Sequence, residues 1–130
     1  MRLAELTERF RRLESHVSQQ KGDFSLFALL LREGAPDRWD LIVSAPWVMH
    51  DKESALDYFV ETIKSVLGAE ELVNLSRIVF VDPDDVSIAD LNRTVSVEHG
   101  SVEMRDTTFS GQPIRQGVII TSKRLAAVAS

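Results

Sequence analysis

Three aspartates close together are the residues of this chain best suited to binding a cation. They occur in Asp82-Pro83-Asp84-Asp85, directly after the apolar run Ile78–Val81. Ligands of sheets with parallel strands bind just beyond the carboxyl ends of those strands, and carboxylate oxygens are ligands that Mg²⁺ prefers. Asp82 and Asp84 are therefore candidate metal ligands, and Asp85 is a further candidate binding residue. A turn followed by a helix cap explains the same residues. We favour the turn and expect no bound metal.

A tryptophan and a histidine follow another apolar run. Trp47 and His50 come after Asp40–Ala45 and directly before Asp51, which can cap a helix. If this strand is parallel to the later one, Trp47, His50 and Asp82 leave the sheet at the same edge. They could then line one pocket, with His50 as a general base. In the alternative that we favour, Trp47 plugs the end of the sheet and His50 is exposed.

The two other histidines give less indication of a site. Glu98 and His99 are adjacent, and adjacent residues of a strand point to opposite faces, so they converge only if a turn begins between them. No second histidine stands at ligand spacing from His99. His16 follows the first helix's apolar stripe closely, beside Val17, and is expected at the surface or at the boundary of the core.

Several classes of active site are excluded by what the sequence lacks. It contains no cysteine, so disulfides, thiolate nucleophiles and thiolate zinc sites are excluded. No glycine-rich phosphate loop, GxSxG elbow or HExxH motif occurs. An endonuclease-like acid-x-lysine pair is missing too, since Thr121 stands two residues before Lys123. We therefore expect no cofactor and lean against an enzyme.

The stretch Phe24 to Val48 predicts the centre of the fold. Its two apolar runs, Phe24–Leu31 and Asp40–Ala45, flank a polar loop from Arg32 to Arg38 and indicate a β-hairpin. Because nearly every position of both runs is apolar, both faces of these strands should be covered, which is typical of central strands.

The rest of the chain alternates between helical and extended patterns. The predicted elements are a helix over 2–19, a helix over 51–67, helical turns over 69–75, a strand over 78–81, a helix over 86–93, a half-exposed strand region from 95 to 109 and a last strand over 114–121. The element order is α-β-β-α-α-β-α-β-β. This order predicts an α/β or α+β fold with a mixed sheet of about five strands built on the hairpin.

Composition and charge limit the environment of the protein and its partners. A chain of 130 residues with 44% hydrophobic and 27% charged residues fits one domain over 1–130, with residues 123–130 as a frayed or helical tail. The net charge of −5 disfavours nucleic acid. The first ten residues lack the apolar core of a signal peptide, and no apolar run is long enough to cross a bilayer. We expect a soluble, cytoplasmic protein.

The sequence leaves three functions open. The first is a non-enzymatic binding or assembly module, with a protein partner or as a homodimer. Large apolar side chains near the ends of elements favour it: Trp39, Trp47, Met49, Met104 and Phe109. The second is a divalent-metal-dependent hydrolase that uses Asp82, Asp84 and His50. The third is a small-ligand sensor with its site at the same strand carboxyl ends.

Overall fold

A computed structural model describes residues 3–34, 38–73 and 75–125, with the side chains of residues 71 and 72 outside that description. The described residues form five helices and five strands. The helices are α1 (Leu3–Lys21), α2 (Pro46–His50), α3 (Lys52–Val66), α4 (Ala69–Val73) and α5 (Val86–Thr94). The strands are β1 (Leu26–Arg32), β2 (Trp39–Ser44), β3 (Leu75–Phe80), β4 (Val102–Phe109) and β5 (Gln112–Ser122). The fold is α+β and the predicted element order is confirmed, with the short α2 added before the second predicted helix.

The five strands form one mixed sheet in the order β3-β2-β1-β5-β4. Strand β1 pairs antiparallel with both β2 and β5, and β4 pairs antiparallel with β5. Strands β2 and β3 are parallel, as the helices between them predict. The central position of the hairpin is confirmed, because β1 is the middle strand and β2 lies beside it.

A hydrophobic core lies on each face of the sheet. On one face α1 and α3 pack on the strands, through side chains such as Phe10 and Phe59. On the other face Ile88 of α5 packs on β1 and β2. Residues 26–31 and 40–44 are all buried. The chain's own elements thus cover both faces of the hairpin, which explains why it is apolar at nearly every position.

Strand β3 differs from its prediction in bounds and exposure. It begins at Leu75, where helical turns were expected to continue, and α4 ends at Val73. Residues 78–80 are half-buried, so the interpretation that both faces of this strand are covered is wrong. The physical reason is its edge position: β3 has a strand neighbour on one side only, and a short apolar run cannot reveal that.

The β4–β5 hairpin turns through Ser110 and Gly111, whose φ angles of 50° and 80° fit the two-residue turn with a left-handed backbone at both central positions. Gln112 and Pro113, expected in the turn, are the first residues of β5. Of the predicted tail, residues 126–130 lie outside the described part of the chain. Within the described ranges, no helix has the length and apolar character that crossing a membrane requires.

Candidate functional site

The aspartates after β3 form a turn and a helix cap. Asp82 accepts a hydrogen bond from the backbone N–H of Asp84 at 2.8 Å. Asp85 is the N-cap of α5 and accepts bonds from the hydroxyl of Ser87 at 2.6 Å and from its backbone N–H at 2.9 Å. These two bonds, the hydroxyl first, lower the pKa of Asp85 from its usual 3.8. All three carboxylates are exposed, and their bonds match the turn interpretation.

Trp47 belongs to the hydrophobic core on the α1 side of the sheet. Its ring stacks on that of Phe59, with centroids 5.7 Å apart and planes 21° apart. It also meets Tyr58 edge-on at 6.0 Å. These contacts match the interpretation of Trp47 as a plug at the end of the sheet. His50, the last residue of α2, is exposed.

The parallel pairing of β2 with β3 puts Pro46–His50 and Asp82 at the same end of the sheet. The two sets nevertheless make separate contacts there, Trp47 with aromatic rings and Asp82 with its own turn. Among the residues that the structure describes, no three histidine, aspartate or glutamate side chains are grouped so that they could hold a metal ion. A metal site here, and a role for His50 as a base, stay predictions.

His99 contacts a buried glutamate that the sequence analysis did not single out. Oε1 of Glu14 lies 2.5 Å from Nδ1 of His99, and Oε2 of Glu14 accepts the hydroxyl of Thr121 at 2.8 Å. The Thr121 oxygen accepts in turn the backbone N–H of His99 at 3.1 Å. Glu14 is fully buried, whereas the His99 side chain is 42% exposed. Glu98 forms an ion pair with Lys123 instead.

A sequence signal for this cluster exists in the first helix. Glu14 stands four residues after Phe10 and three before Val17, so it lies on the buried face of α1. A carboxylate inside an apolar stripe needs a polar partner. The partner turn is held further by Arg11, whose Nη2 donates to the backbone oxygen of His99 at 3.1 Å. The cluster fastens α1 to the segment before β4.

A second buried carboxylate, Asp40, lies at the other end of the sheet from the predicted site. The register pairs Asp40 on β2 with Leu30 on β1 and with Arg77 on β3. Its Oδ2 accepts hydrogen bonds from Nε of Arg32 at 2.7 Å and from Nε of Arg77 at 3.1 Å. The Asp40 side chain is 2% exposed, whereas those of Arg32 and Arg77 are 25% and 44% exposed. Three adjacent strands thus contribute one charged residue each.

Strand alternation explains why these charges share a face. Residues two apart in a strand point to the same side of a sheet. Each of the three charged residues stands two positions from an apolar residue on the α5 side of the sheet: Leu30 for Arg32, Ile42 for Asp40 and Val79 for Arg77. The charged group is therefore an extension of that core toward the open end of the sheet.

A pocket of about 220 Å³ lies beside the three charges, which we call the Arg–Asp–Arg pocket. The tip of the β4–β5 hairpin completes its wall. Its described lining is Leu30, Arg32, Asp40, Ile42, Arg77, Val79, Val81, Phe109, Ser110, Gln112 and Ile114. The volume corresponds to roughly seven water molecules at about 30 Å³ each. It lies below the roughly 300–1,000 Å³ of pockets for drug-sized ligands, so a fitting occupant is small.

The other oxygen of Asp40 has no hydrogen-bond partner among the described residues. Oδ1 is buried and unbonded, although Oδ2 accepts two bonds. An unsatisfied buried acceptor costs about 1–3 kcal/mol, and more when it is charged. Such atoms are rare in native proteins. The strained polar balance at Asp40 is typical of a position where a molecule from outside the chain supplies a donor.

A wider hollow of about 400 Å³ lies between α5 and the β4–β5 hairpin. Phe109 and Ser110 border both this hollow and the Arg–Asp–Arg pocket. The charged residue in its described lining is Asp90, which is exposed and ion-paired with Arg93. It therefore offers less binding chemistry than the pocket at Asp40.

The apolar side chains predicted to form an interface are packed within the chain itself. Each is half-buried against one of the two cores: Trp39, Trp47 and Met49 on the α1 side, and Met104 and Phe109 on the α5 side. These residues thus give a homodimer no particular support, and it stays a prediction.

No protein-family model, curated protein or solved structure matches this chain. Function has to be inferred from the chemistry of its own residues.

Proposed function

We propose that this protein is a non-enzymatic binding module that holds a small molecule in the Arg–Asp–Arg pocket. The observation that carries the proposal is Asp40: a buried carboxylate in a pocket wall, bonded through one oxygen and unsatisfied at the other. A ligand donor at this wall would remove the cost of the unsatisfied oxygen. Binding would thereby be coupled to the stability of the fold.

The charged groups of the pocket suit binding better than proton transfer. Arginine stays protonated in proteins and presents only donors, so it holds anions and carbonyls without exchanging protons. Arg32 and Arg77 are already fixed by Asp40 through their Nε atoms. Groups that are ordered before binding lose less conformational entropy when the ligand arrives.

The position of the pocket changes where the small-ligand alternative is sought. The sequence analysis expects such a site beyond the carboxyl ends of β2 and β3. The Arg–Asp–Arg pocket instead lies where β1 ends and where β2 and β3 begin. Sensor and carrier are both compatible with a pocket of this kind, and neither needs a catalytic group.

The test is a thermal-shift screen of small metabolites, with calorimetry on each hit. Three proteins are compared: the natural chain, Arg77→Gln in the pocket and Arg105→Gln as the matched control. Arg105 is an exposed arginine on β4 outside the pocket lining. At a hundredfold excess over Kd, a ligand adds about 2.7 kcal/mol to stability, which corresponds to several degrees in Tm.

We expect hits that stabilise the natural chain and Arg105→Gln but not Arg77→Gln. Ligands that bind Arg77→Gln with unchanged affinity would place binding elsewhere and contradict the proposal. A screen with no hit for the natural chain would contradict it as well.

A further inference from the structure

We infer that the ligand of the Arg–Asp–Arg pocket is a small carboxylic acid with an apolar body, bound as its anion. The inference rests on the proposed function, since it names the chemical class that the same pocket takes. Three properties of the pocket lead to it: its net charge, the donors that Asp40 leaves unused, and the nature and volume of its walls.

The charge of the pocket favours an anion. Its described lining contains two arginines and one aspartate and is otherwise uncharged, which leaves one net positive charge. This local charge has the opposite sign to that of the whole chain, which is −5. A cationic ligand would meet two guanidinium groups and a carboxylate that they already neutralise. An anion instead restores neutrality in a partly buried place.

The arginines keep unused donors. Each contacts Asp40 through Nε, so the Nη atoms of both remain, apart from the bond from Nη2 of Arg77 to Oε1 of Gln112 at 3.2 Å. Planar N–H groups of arginine match the two oxygens of a carboxylate, and charge-assisted bonds of this kind are about twice as strong as neutral ones. Two arginines on neighbouring sides of Asp40 thus suit a carboxylate better than a single acceptor.

The walls exclude a purely polar anion. Six apolar side chains line the pocket: Leu30, Ile42, Val79, Val81, Phe109 and Ile114. Inorganic phosphate or sulfate would leave this surface without a partner, whereas an alkyl group would bury it at roughly 25 cal/mol per Å². The volume of about 220 Å³ admits a compact body of a few carbons beside the carboxylate. A branched acid of six carbons, 4-methylpentanoate, is the probe of this shape.

The test compares 4-methylpentanoate with its neutral isostere 4-methylpentanamide by calorimetry. The amide keeps the shape and the apolar body and removes the charge. We expect the carboxylate to bind the natural chain at least tenfold more tightly than the amide does. Arg77→Gln should weaken the carboxylate at least tenfold and the amide less than twofold, and Arg105→Gln should match the natural chain with both probes.

A conservative variant keeps the test sharp if the loss of Arg77 disturbs the fold. Arg77→Lys retains the charge and loses the planar fork, so its affinity for the carboxylate should fall between those of the natural chain and Arg77→Gln. Circular dichroism and Tm of each variant establish that it is folded before titration. A Lys variant that binds no better than the Gln variant would contradict a charge-based site.

Failure of this inference can be told apart from failure of the proposed function. If the amide binds the natural chain as tightly as the carboxylate, the pocket binds ligands and the carboxylate inference is wrong. If neither probe binds, the inference is wrong for this body shape and charge. The proposed function then fails only if the metabolite screen also yields no ligand whose affinity depends on Arg77.

Discussion

Glu14 of α1 and His99 in the turn before β4 contact each other across 85 positions of sequence, with Oε1 of Glu14 2.5 Å from Nδ1 of His99. The same carboxylate accepts the hydroxyl of Thr121 on β5. One fully buried side chain therefore joins the first helix to both arms of the last part of the chain. These bonds can form only after the elements have assembled, so their contribution is to tertiary structure.

Replacement of Glu14 by alanine should destabilise the protein by about 2–4 kcal/mol. The loss has two causes: the buried hydroxyl of Thr121 loses its acceptor, at about 1–3 kcal/mol, and the missing side chain leaves a cavity. Urea denaturation measures the change as a shift in the midpoint.

Glu5→Ala is the matched control, because Glu5 is exposed on the same helix. Its cost should stay within about 0.5 kcal/mol. Equal losses for the two variants would mean that the bonds of Glu14 contribute nothing beyond helix propensity.

The contrast between Glu14 and Asp40 shows how far sequence reasoning reaches in this chain. The spacing of Glu14 from Phe10 and Val17 shows that it faces the core, although not which residue it meets. The partner of Asp40 could not be read in the same way. A hairpin loop from Arg32 to Arg38 is too long to fix the register of its strands.

The parallel neighbour was even less accessible to pattern. Arg77 faces Asp40 because of the register between β2 and β3, which follows from how α2, α3 and α4 pack between them. Apolar runs and turn residues do predict the central hairpin, the five strands and the parallel pair. They contain no information on which charged residues become neighbours across strands, and the Arg–Asp–Arg pocket is made of such neighbours.

Asp40→Asn should lower the free energy of unfolding by about 1–3 kcal/mol. Breaking a fully buried ion pair costs roughly 3–5 kcal/mol, but Arg32 and Arg77 are 25% and 44% exposed and regain water when the carboxylate is lost. Urea denaturation is again the measurement. Asp57→Asn, at an exposed position of α3, should change stability by less than about 0.5 kcal/mol. Full stability of Asp40→Asn would show that the two arginines do not need the carboxylate for folding.

Acid should destabilise the protein in part through its two aspartate caps. The backbone N–H and then the hydroxyl of Ser54 lower the pKa of Asp51 at the start of α3, and Ser87 lowers that of Asp85 in the same way, its hydroxyl first. A carboxyl whose pKa is lower in the folded state than its unfolded value of 3.8 stabilises the fold fully above that value. This stabilisation is lost as the pH falls through the folded pKa.

The measurement for the caps is Tm as a function of pH, from neutral to strongly acidic solution. Asp51→Asn and Asp85→Asn keep a capping side chain that does not titrate, so both should flatten the decline of Tm below about pH 4. Asp57→Asn serves as the control at an exposed position of α3. An unchanged acid decline in both cap variants would mean that these carboxylates are not coupled to folding.

Titration with Mg²⁺, Mn²⁺ or Zn²⁺ should give no binding heat that depends on Asp82. Oδ1 of Asp82 already accepts the backbone N–H of Asp84, and Asp85 already caps α5 through Ser87. A cation would have to compete with both sets of bonds for carboxylates that are exposed to water. Asp82→Ala should instead show a loss of stability of about 1 kcal/mol, the net worth of one hydrogen bond.

The metal-dependent hydrolase makes the opposite prediction for the same variant. It requires heat with at least one of the three ions, lost in Asp82→Ala and retained in Asp57→Ala. His50→Ala should then abolish activity without abolishing binding of the ion, because His50 is exposed on α2 and is assigned there as a base. Binding heat that is equal in Asp82→Ala and in the natural chain would mean that the ion binds elsewhere, and the turn interpretation of Asp82 would stand.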